Sequence, residues 1–201
     1  MAARRVATGR RDTRVLVPIK AFSQAKGRLG VVLDDLARGE LVRAMAAHVV
    51  AAAAPLPVCV ACDDPDVAAF AESLGAEVSW TPGLGLNGAV EAGVAHLAAR
   101  GADYVTVVHA DLPLAAGIGV LAHVDGVTIA PDRRRRGTNL LRVPTSVHFS
   151  MRFGRDSLRA HLDESDRLGL HVVVLDRGDL AFDVDVPRDL AELTTRNGGT
   201  P

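Results

Sequence analysis

Tyr104-Val105-Thr106-Val107-Val108-His109-Ala110-Asp111-Leu112-Pro113 is the stretch that decides the fold. Its β-branched run predicts a buried strand, and that strand leads into Asp111, shortly before a proline. Ligands of open α/β sheets bind just outside the carboxyl ends of the strands, so we expect chemistry at Asp111. The alternative is that Asp111 caps a helix beginning near Pro113, and the stretch taken alone favours this cap slightly.

Short apolar runs alternate with amphipathic stretches on both sides of this strand. We predict strands over 14–19, 58–62, 77–80, 104–108, 127–130, 171–176 and 182–186. Helices are predicted over 33–54, 66–74, 89–100, 115–124, 156–168 and 187–193, with residues 140–149 extended. The alternation predicts a single α/β domain over residues 14–193 around a mostly parallel sheet, with a flexible basic tail over 1–13 and a frayed tail over 194–201.

The composition fits one well-buried core and excludes several classes of protein. The chain has 201 residues, 48% of them hydrophobic, and a formal net charge of −1. This charge provides no overall basic field for nucleic acid, and no apolar run is long enough to predict a membrane span. Two cysteines do not indicate a secreted disulfide scaffold, and the Arg-rich start lacks the apolar segment of a secretory signal. We therefore expect a cytoplasmic protein without a nucleic-acid or membrane partner.

Three cations follow the first predicted strand: Lys20, Lys26 and Arg28. A cationic loop at the carboxyl edge of a strand suits a polyphosphate, because lysine supplies point charges and arginine supplies a bidentate fork. The alternative is an ordinary solvated loop, which composition alone favours.

Two aspartates alternate with apolar residues in Phe182-Asp183-Val184-Asp185-Val186-Pro187. In an extended chain, Asp183 and Asp185 lie on one face, where their like charges repel unless a cation sits between them. Carboxylate oxygens suit Mg²⁺, which keeps waters and substrate phosphates as its other ligands. The alternative is that Asp185 caps the helix at Pro187 while Asp183 is exposed to solvent.

Three further motifs carry weaker signals. Gly83–Gly88 matches G-x-G-x-x-G, but it lies in the third β–α unit instead of the first, follows Pro82, and lacks the acidic residue expected at the end of a partnering strand. We therefore interpret it as a glycine turn near a ligand. Cys59–Cys62 matches C-x-x-C within a strand, where the two thiols point to opposite faces and act as buried hydrophobes. The run Arg133–Arg136 lacks interleaved aromatics, which favours a solvated or anion-binding loop over a nucleic-acid patch, and Gly137–Asn139 is better suited to a phosphate.

The order of several short motifs, rather than any one of them, carries a family resemblance. In this order they resemble the guanylyltransferases of coenzyme F-420 biosynthesis, which activate 2-phospholactate or phosphoenolpyruvate with GTP. The matching pieces are Val17-Pro18-Ile19-Lys20, Ala25-Lys26-Gly27-Arg28-Leu29, Gly85-Leu86-Asn87, Asp111-Leu112-Pro113, Pro131-Asp132-Arg133, Gly137-Thr138-Asn139, Phe153-Gly154 with Ser157 and His161, and 182–187. The resemblance implies the nucleotidyltransferase version of the Rossmann-like α/β sandwich.

The resemblance also implies roles for single residues. The implied ligands of one or two Mg²⁺ ions are Asp111, Asp183 and Asp185. The implied contacts to the acceptor's phosphate or carboxylate are Thr138, Gly154 and Ser157. The implied contacts to the nucleotide are Lys20, Lys26, Arg28 and Asn87, and the implied catalytic residues are Lys20, Lys26, Arg28 and Asp111. The chain departs from the family at Gly27, where serine is common, and in its longer arginine run.

The activity implied by the resemblance is transfer of GMP from GTP to the phosphate of a phosphorylated three-carbon acid, with release of pyrophosphate. The Ala- and Arg-rich composition resembles that of high-GC actinobacterial proteins, which favours phosphoenolpyruvate over 2-phospholactate as the acceptor. The family also implies a homodimer. The alternatives are a nucleotidyltransferase for a sugar phosphate or the molybdenum cofactor, a non-catalytic nucleotide-binding protein and, last, a dehydrogenase.

Overall fold

The computed structural model describes residues 11–196 and residue 198, and its centre is a seven-stranded sheet. The strands are β1 (Thr13–Pro18), β2 (Val58–Cys62), β3 (Glu77–Trp80), β4 (Tyr104–Val108), β5 (Val127–Pro131), β6 (Thr138–Pro144) and β7 (Val172–Val174). Their order across the sheet is β3-β2-β1-β4-β6-β5-β7. Residues 1–10 of the predicted basic tail lie outside the described residues.

Helices cover both faces of this sheet. They are α1 (Asp35–Ala52), α2 (Pro65–Ser73), α3 (Gly85–Ala99), α4 (Ser157–Arg167), α5 (Gly178–Ala181) and α6 (Pro187–Arg196), with short 3-10 helices at Phe22–Gln24, Gly27–Val31 and Ile118–His123. One core contains apolar residues of α1, α2, α5 and α6, and the other contains those of α3 and α4. Cys59 and Cys62 are free, buried and on opposite faces, as predicted.

The strand directions bring the polar segments to one edge of the sheet. All strands run parallel except β6, which is antiparallel to both of its neighbours. The carboxyl ends of β1, β2, β3, β4 and β5 therefore share an edge with the amino end of β6, where Thr138 begins the strand. The chain order reverses between β1 and β4, and such a switch point opens a crevice at this edge.

Close packing fixes α3 against the middle of the sheet. A Cβ added at Gly93 would lie 2.7 Å from a methyl carbon of Leu16 in β1, so only glycine allows this approach. The helix begins at Gly85, inside the predicted glycine turn, so the turn is shorter than its six-residue motif suggests. No helix of the described residues is both long and apolar enough to span a membrane.

Three predicted elements differ from the structure. The helix expected over 115–124 is only the 3-10 turn Ile118–His123, which follows a left-handed Gly117. Residues 182–186 are not a strand, because their backbone bonds to a loop carbonyl and to a side chain of α6 instead of a sheet edge. The last helix continues to Arg196, beyond the predicted end at Leu193, and an Arg196–Glu192 ion pair spans its final turn.

Candidate active site at the carboxyl edge of the sheet

Lys26 lies between two of the predicted metal ligands. Its Nζ is 2.5 Å from Asp111 Oδ2 and 2.5 Å from Asp185 Oδ1. Lys26 adopts a left-handed backbone (φ 54°) just before the 3-10 helix Gly27–Val31, which directs the loop back over the end of β4. The ammonium side chain is 11% exposed, so both ion pairs are largely shielded from solvent.

Asp111 follows β4 in a turn and caps no helix. The first helical residue after it is Ile118, so the helix-cap interpretation is wrong. Burial, the largest single effect, opposes ionisation of this carboxyl, but the charge and hydrogen bond of Lys26, together with His109, hold the pKa of Asp111 below its usual range. Asp111 Oδ1 is buried and has no hydrogen-bond partner within the described part of the chain. A buried carboxylate oxygen without a partner is costly, and a ligand or cation would satisfy it.

Asp183 experiences the charge of both neighbouring carboxylates. Burial, followed by the negative charges of Asp111 and Asp185, raises the pKa of Asp183 to about 6. The like-charge repulsion expected for Asp183 and Asp185 is therefore present, with Asp111 as the third member. A cation placed among these groups would lower the pKa of Asp183 and relieve the repulsion.

Asp189 holds the segment that carries Asp183 and Asp185. Its Oδ2 accepts hydrogen bonds from Asp185 N and Val186 N, both at 3.0 Å, so α6 is capped by its own third residue reaching back. The Val184 amide also donates to Asp111 O at 3.3 Å, which ties the segment to the end of β4. The predicted alternative of Asp185 as the helix cap is therefore replaced by Asp189.

The three carboxylates fit a hard divalent cation in chemistry, although Lys26 Nζ stands between two of them. Within residues 11–196, no three His, Cys, Asp or Glu side chains are arranged to hold a metal ion as they stand. The unpartnered Asp111 Oδ1, the oxygen-only donor set and the raised pKa of Asp183 are the features that fit Mg²⁺. The predicted ligand set of Asp111, Asp183 and Asp185 stays a prediction.

Thr138, predicted to bind the acceptor, is held by a buried histidine. His161 Nε2 faces the Arg152 N–H at 3.1 Å and must accept from it, so the ring hydrogen is on Nδ1. That Nδ1–H donates to Thr138 Oγ1 at 3.0 Å, which leaves the hydroxyl hydrogen of Thr138 free for another acceptor. Burial, followed by the proximity of the His109 ring and the Arg152 guanidinium, lowers the pKa of His161 to about 4 and keeps this ring neutral.

Gly154 and Ser157 lie at the amino-terminal end of α4. Gly154 has φ +126°, a conformation that L side chains rarely adopt, and its carbonyl accepts from Ser157 N at 3.3 Å. Ser157 is the first residue of α4 and is buried. It lies one helical turn from His161 and on the same face, so the helix brings Ser157 to the side of Thr138.

Asn87 is hydrogen-bonded to the backbone of the segment that contains Phe153 and Gly154 and leads into α4, here called the acceptor loop. Its Oδ1 accepts from Phe153 N at 2.7 Å, and its Nδ2 donates to Phe153 O at 3.1 Å. The predicted role of Asn87 in contacting the nucleotide stays untested, but both polar atoms of its side chain already have protein partners. The Phe153 ring lies between His109 and His161, with centroid separations of 5.2 and 4.9 Å.

Lys20 and Arg28 line two different pockets. Lys20 is exposed and lines a cleft of about 390 Å³ at the ends of β1, β2 and β3. Arg28 lines a smaller pocket of about 110 Å³ together with Asp183, Asp185 and residues 132–134. Lys26 and Arg28 therefore lie at the acidic groups, whereas Lys20 lines a separate cleft.

The arginine run is partly used in the fold. Arg133 pairs with Asp189 at 2.6 Å and with Glu192 at 2.9 Å, and Arg136 pairs with Asp156 at 2.7 Å. These contacts engage Arg133 and Arg136 within the fold, and the interpretation of 133–136 as a solvated or anion-binding loop stays a prediction.

Sequence reasoning missed the supporting residues Asp189 and His161. Asp189 has a local signal, because an acidic residue at the third position of a helix can reach back to the capping amide. His161 belongs to a matched motif, but only the fold reveals that Thr138 is its partner.

Comparisons with known proteins agree on the family. A family model described as "Guanylyl transferase CofC like" matches residues 13–200. A phosphoenolpyruvate guanylyltransferase of Rubrobacter xylanophilus is 40% identical over 194 residues, covering 91% of this chain and 94% of the relative. A 2-phospho-L-lactate guanylyltransferase of Methanothermobacter thermautotrophicus is 34% identical over 196 residues, covering 94% of this chain and 86% of the relative.

Solved structures agree on the fold. A protein described as a nucleotide-diphospho-sugar transferase from Desulfovibrio desulfuricans superposes with a TM-score of 0.74 at 21% identity, over 93% of this chain and 88% of that one. A nucleotidyl transferase from Methanothermobacter superposes with a TM-score of 0.64 at 15% identity, over 92% and 96% of the two chains. The predicted nucleotidyltransferase sandwich is confirmed. With the family match over nearly the whole chain, the chain belongs to the CofC-like guanylyl transferase family.

Proposed function

We propose that this protein transfers GMP from GTP to the phosphate of phosphoenolpyruvate, with release of pyrophosphate, as a step in coenzyme F-420 biosynthesis. The observation that carries the proposal is the placement of Lys26 against Asp111 and Asp185 at the switch point of a CofC-like chain. Cationic and anionic groups meet there at the edge where α/β sheets bind ligands.

The reaction is a displacement at phosphorus between two anions. An oxygen of the acceptor's phosphate forms a bond to the α-phosphorus of GTP, and the bond from that phosphorus to the oxygen bridging to the β-phosphate breaks. Pyrophosphate leaves with that electron pair. The attacking phosphate is already ionised, so no general base is needed, and the protein's main tasks are alignment and neutralisation.

The cationic loop supplies part of that neutralisation. Lys20, Lys26 and Arg28 bring three positive charges to the edge, and we assign them to the triphosphate and the acceptor. One or two Mg²⁺ ions held by Asp111, Asp183 and Asp185 would supply further charge neutralisation of the phosphates when bound. Lys26 pairs with Asp111 and Asp185 in the structure, so its ammonium lies at the place where we expect phosphate charge to gather.

The acceptor side consists of Thr138, Gly154 and Ser157. The free hydroxyl hydrogen of Thr138, fixed by His161, is suited to a phosphate or carboxylate oxygen. The Rubrobacter relative at 40% identity is named for phosphoenolpyruvate and the Methanothermobacter relative at 34% for 2-phospho-L-lactate, which favours phosphoenolpyruvate here. We keep 2-phospho-L-lactate as the second acceptor to test.

The test is pyrophosphate release from GTP and Mg²⁺ with each acid in turn, including 3-phosphoglycerate. We expect release that depends on the acceptor and is fastest with phosphoenolpyruvate. Absence of release with every phosphorylated three-carbon acid would contradict the proposal. Release with a sugar phosphate or a molybdenum-cofactor precursor instead would favour the alternative nucleotidyltransferase.

The non-catalytic alternative has its own test. If the chain only binds nucleotide, Asp183→Ala would leave its function intact, whereas the proposed enzyme loses most of its turnover.

We also propose, on family grounds, a cytoplasmic homodimer that needs neither nucleic acid nor membrane. Sedimentation of the purified protein would test whether it is a dimer. A protein that is monomeric under the conditions of full turnover would show that activity does not require the dimer.

A further inference from the structure

The cleft at the carboxyl ends of β1, β2 and β3 has a lining that suits a flat heteroaromatic ring. Its volume of about 390 Å³ is within the range of small-molecule sites. The walls are mostly apolar, formed by Pro18, Ile19, Ala61, Leu86 and Ala89. The polar side chains in the lining are those of Lys20, Asp63 and Thr81. Apolar walls with a few polar groups are typical of sites that select a ring by its edge.

Two adjacent aspartates at the end of β2 have different roles. Asp64 caps α2, because its Oδ1 accepts from Asp66 N at 3.0 Å and from Val67 N at 3.1 Å. The Asp63 carboxylate is exposed at the cleft and makes no hydrogen bond or ion pair with residues 11–196. The fold therefore uses Asp64 and leaves Asp63 available to a ligand.

Thr81 cannot provide the same recognition. Its amide donates to Cys62 O at 2.8 Å, and its hydroxyl donates to the same carbonyl at 3.3 Å. Among the side chains that line the cleft, Asp63 is the one that offers two acceptor oxygens and no donor.

We propose that this cleft is the base site and that Asp63 selects guanine by accepting its N1–H and N2–H hydrogen bonds. Guanine presents these two donors side by side, and a carboxylate can accept both at once. Adenine presents a ring acceptor at N1 and would meet the Asp63 oxygens with repulsion. Lys20 lines the same cleft, so a base held at Asp63 has its triphosphate beside the loop that leads to Lys26. The proposal deepens the proposed function and rests on it for GTP as the nucleotide.

The test is a change of base preference in Asp63→Asn. The amide replaces one acceptor with a donor, which opposes the guanine N–H groups but suits xanthine, whose C2 carbonyl replaces the amino group. We expect kcat/KM for GTP to fall about 100-fold and kcat/KM for XTP to rise about 10-fold, as for other sites that lose or gain a matched hydrogen bond. A rise in kcat/KM for XTP cannot result from a folding defect, because misfolded protein would lose activity with both nucleotides.

The matched control is Asp64→Asn, the same substitution one residue along the chain. Asparagine caps a helix about as well as aspartate, so this variant should fold and keep the wild-type ratio of GTP to XTP. Calorimetric titration with GTP, XTP and ATP repeats the comparison without turnover. The wild type should bind GTP best, and Asp63→Asn should bind XTP best.

The outcomes separate the two proposals. An unchanged GTP to XTP ratio in Asp63→Asn, with wild-type transfer proceeding, overturns the assignment of Asp63. If the wild type transfers nothing to any acceptor but the titrations show the switch, the proposed reaction is wrong and the base site stands. Equal binding of GTP and ATP by the wild type also overturns the base site.

Discussion

Two neighbouring regions of this edge of the sheet differ in whether their buried polar side-chain atoms have hydrogen-bond partners. The carboxylate cluster consists of Lys26, Asp111, Asp183 and Asp185. The acceptor-loop network consists of Asn87, Arg152, Phe153, Thr138 and His161. The cluster contains an unpartnered buried oxygen and a carboxyl whose pKa is raised to about 6. The network pairs both amide atoms of Asn87 and both ring nitrogens of His161.

This difference indicates which region binds charged ligands and which region holds other residues in position. A buried carboxylate oxygen without a partner costs free energy that a bound cation can recover. In the network, the hydrogen bonds of the Asn87 and His161 side chains are complete and hold their partners in place, whereas the hydroxyl hydrogen of Thr138 stays available to the acceptor. We therefore assign binding and charge neutralisation to the cluster, and the orientation of Thr138 and the acceptor loop to the network.

The largest expected effect comes from the cluster. Asp183→Asn should lower turnover by about 10³-fold, roughly 4 kcal/mol of transition-state stabilisation, because a predicted metal ligand loses its charge. Without Mg²⁺ the same variant should be at least as stable as the wild type at pH 8, because it removes a repelled carboxylate. Pyrophosphate release and urea unfolding measure the two effects. The control Asp163→Asn changes an exposed carboxylate on α4 and should leave turnover unchanged. A less stable Asp183→Asn would contradict our account of the cluster.

The network should show its effect in the pH dependence of stability. The pKa of His161 is about 4 in the folded protein and ordinarily 6.5, so the unfolded chain binds a proton first as pH falls. The free energy of unfolding contributed by His161 is fully present above about pH 7 and falls by roughly 3 kcal/mol as pH drops to about 4. Urea unfolding over this range should give a shallower slope for His161→Gln than for the wild type. His148→Gln, at an exposed position, should keep the wild-type slope, and a wild-type slope in His161→Gln would exclude a buried neutral ring.

Lys26→Met should remove the charge of the ammonium but keep an apolar side chain of similar length, so its effect on stability reports mainly the loss of the ion pairs. Removing the ammonium leaves Asp111 and Asp185 unpaired. Because the Asp185 side chain is half exposed, the loss should be smaller than for a fully buried pair, about 2 kcal/mol without Mg²⁺. Millimolar Mg²⁺ should stabilise this variant more than the wild type, because no ammonium competes for the carboxylates. Lys20→Met is the control, since Lys20 is exposed and has no ion pair within the described residues. Equal responses to Mg²⁺ in wild type and Lys26→Met would mean that Lys26 does not occupy the cation position.

The smallest effect should come from Asn87→Ala. If Asn87 positions the acceptor loop, its loss should raise KM for phosphoenolpyruvate about 5-fold, equivalent to about 1 kcal/mol, and leave KM for GTP nearly unchanged. Steady-state kinetics with each substrate varied in turn make the measurement. A rise confined to KM for GTP would instead support the nucleotide contact expected from the sequence.

Local patterns predicted most of the fold and the polar residues of its edge. The β-branched run before Asp111 and the alternation of strands and helices were sufficient for the sandwich. No local pattern specifies that β6 runs antiparallel, yet this direction brings Thr138 to the edge. The alternation in 182–186 is the same in a strand and in the observed loop, and only the contact with Asp189 distinguishes them.

Pairings distant in sequence account for the rest of what was missed. Lys26 is separated from Asp111 by 85 residues and from Asp185 by 159, so no spacing could indicate that one ammonium joins them. Asn87 lies in the first turn of α3, within a glycine-rich stretch whose sequence suggests a nucleotide loop. Its hydrogen bonds to Phe153 follow only from how α3 packs beside the acceptor loop.

The most direct test of the central claim is mass-spectrometric detection of the transferred GMP. Wild-type protein, GTP, Mg²⁺ and phosphoenolpyruvate should yield a GMP–phosphoenolpyruvate adduct in amounts equal to the pyrophosphate released, and Asp183→Asn should yield almost none. Pyrophosphate without an adduct, or an adduct formed equally well by Asp183→Asn, would contradict the assignment of the carboxylate cluster as the site of transfer.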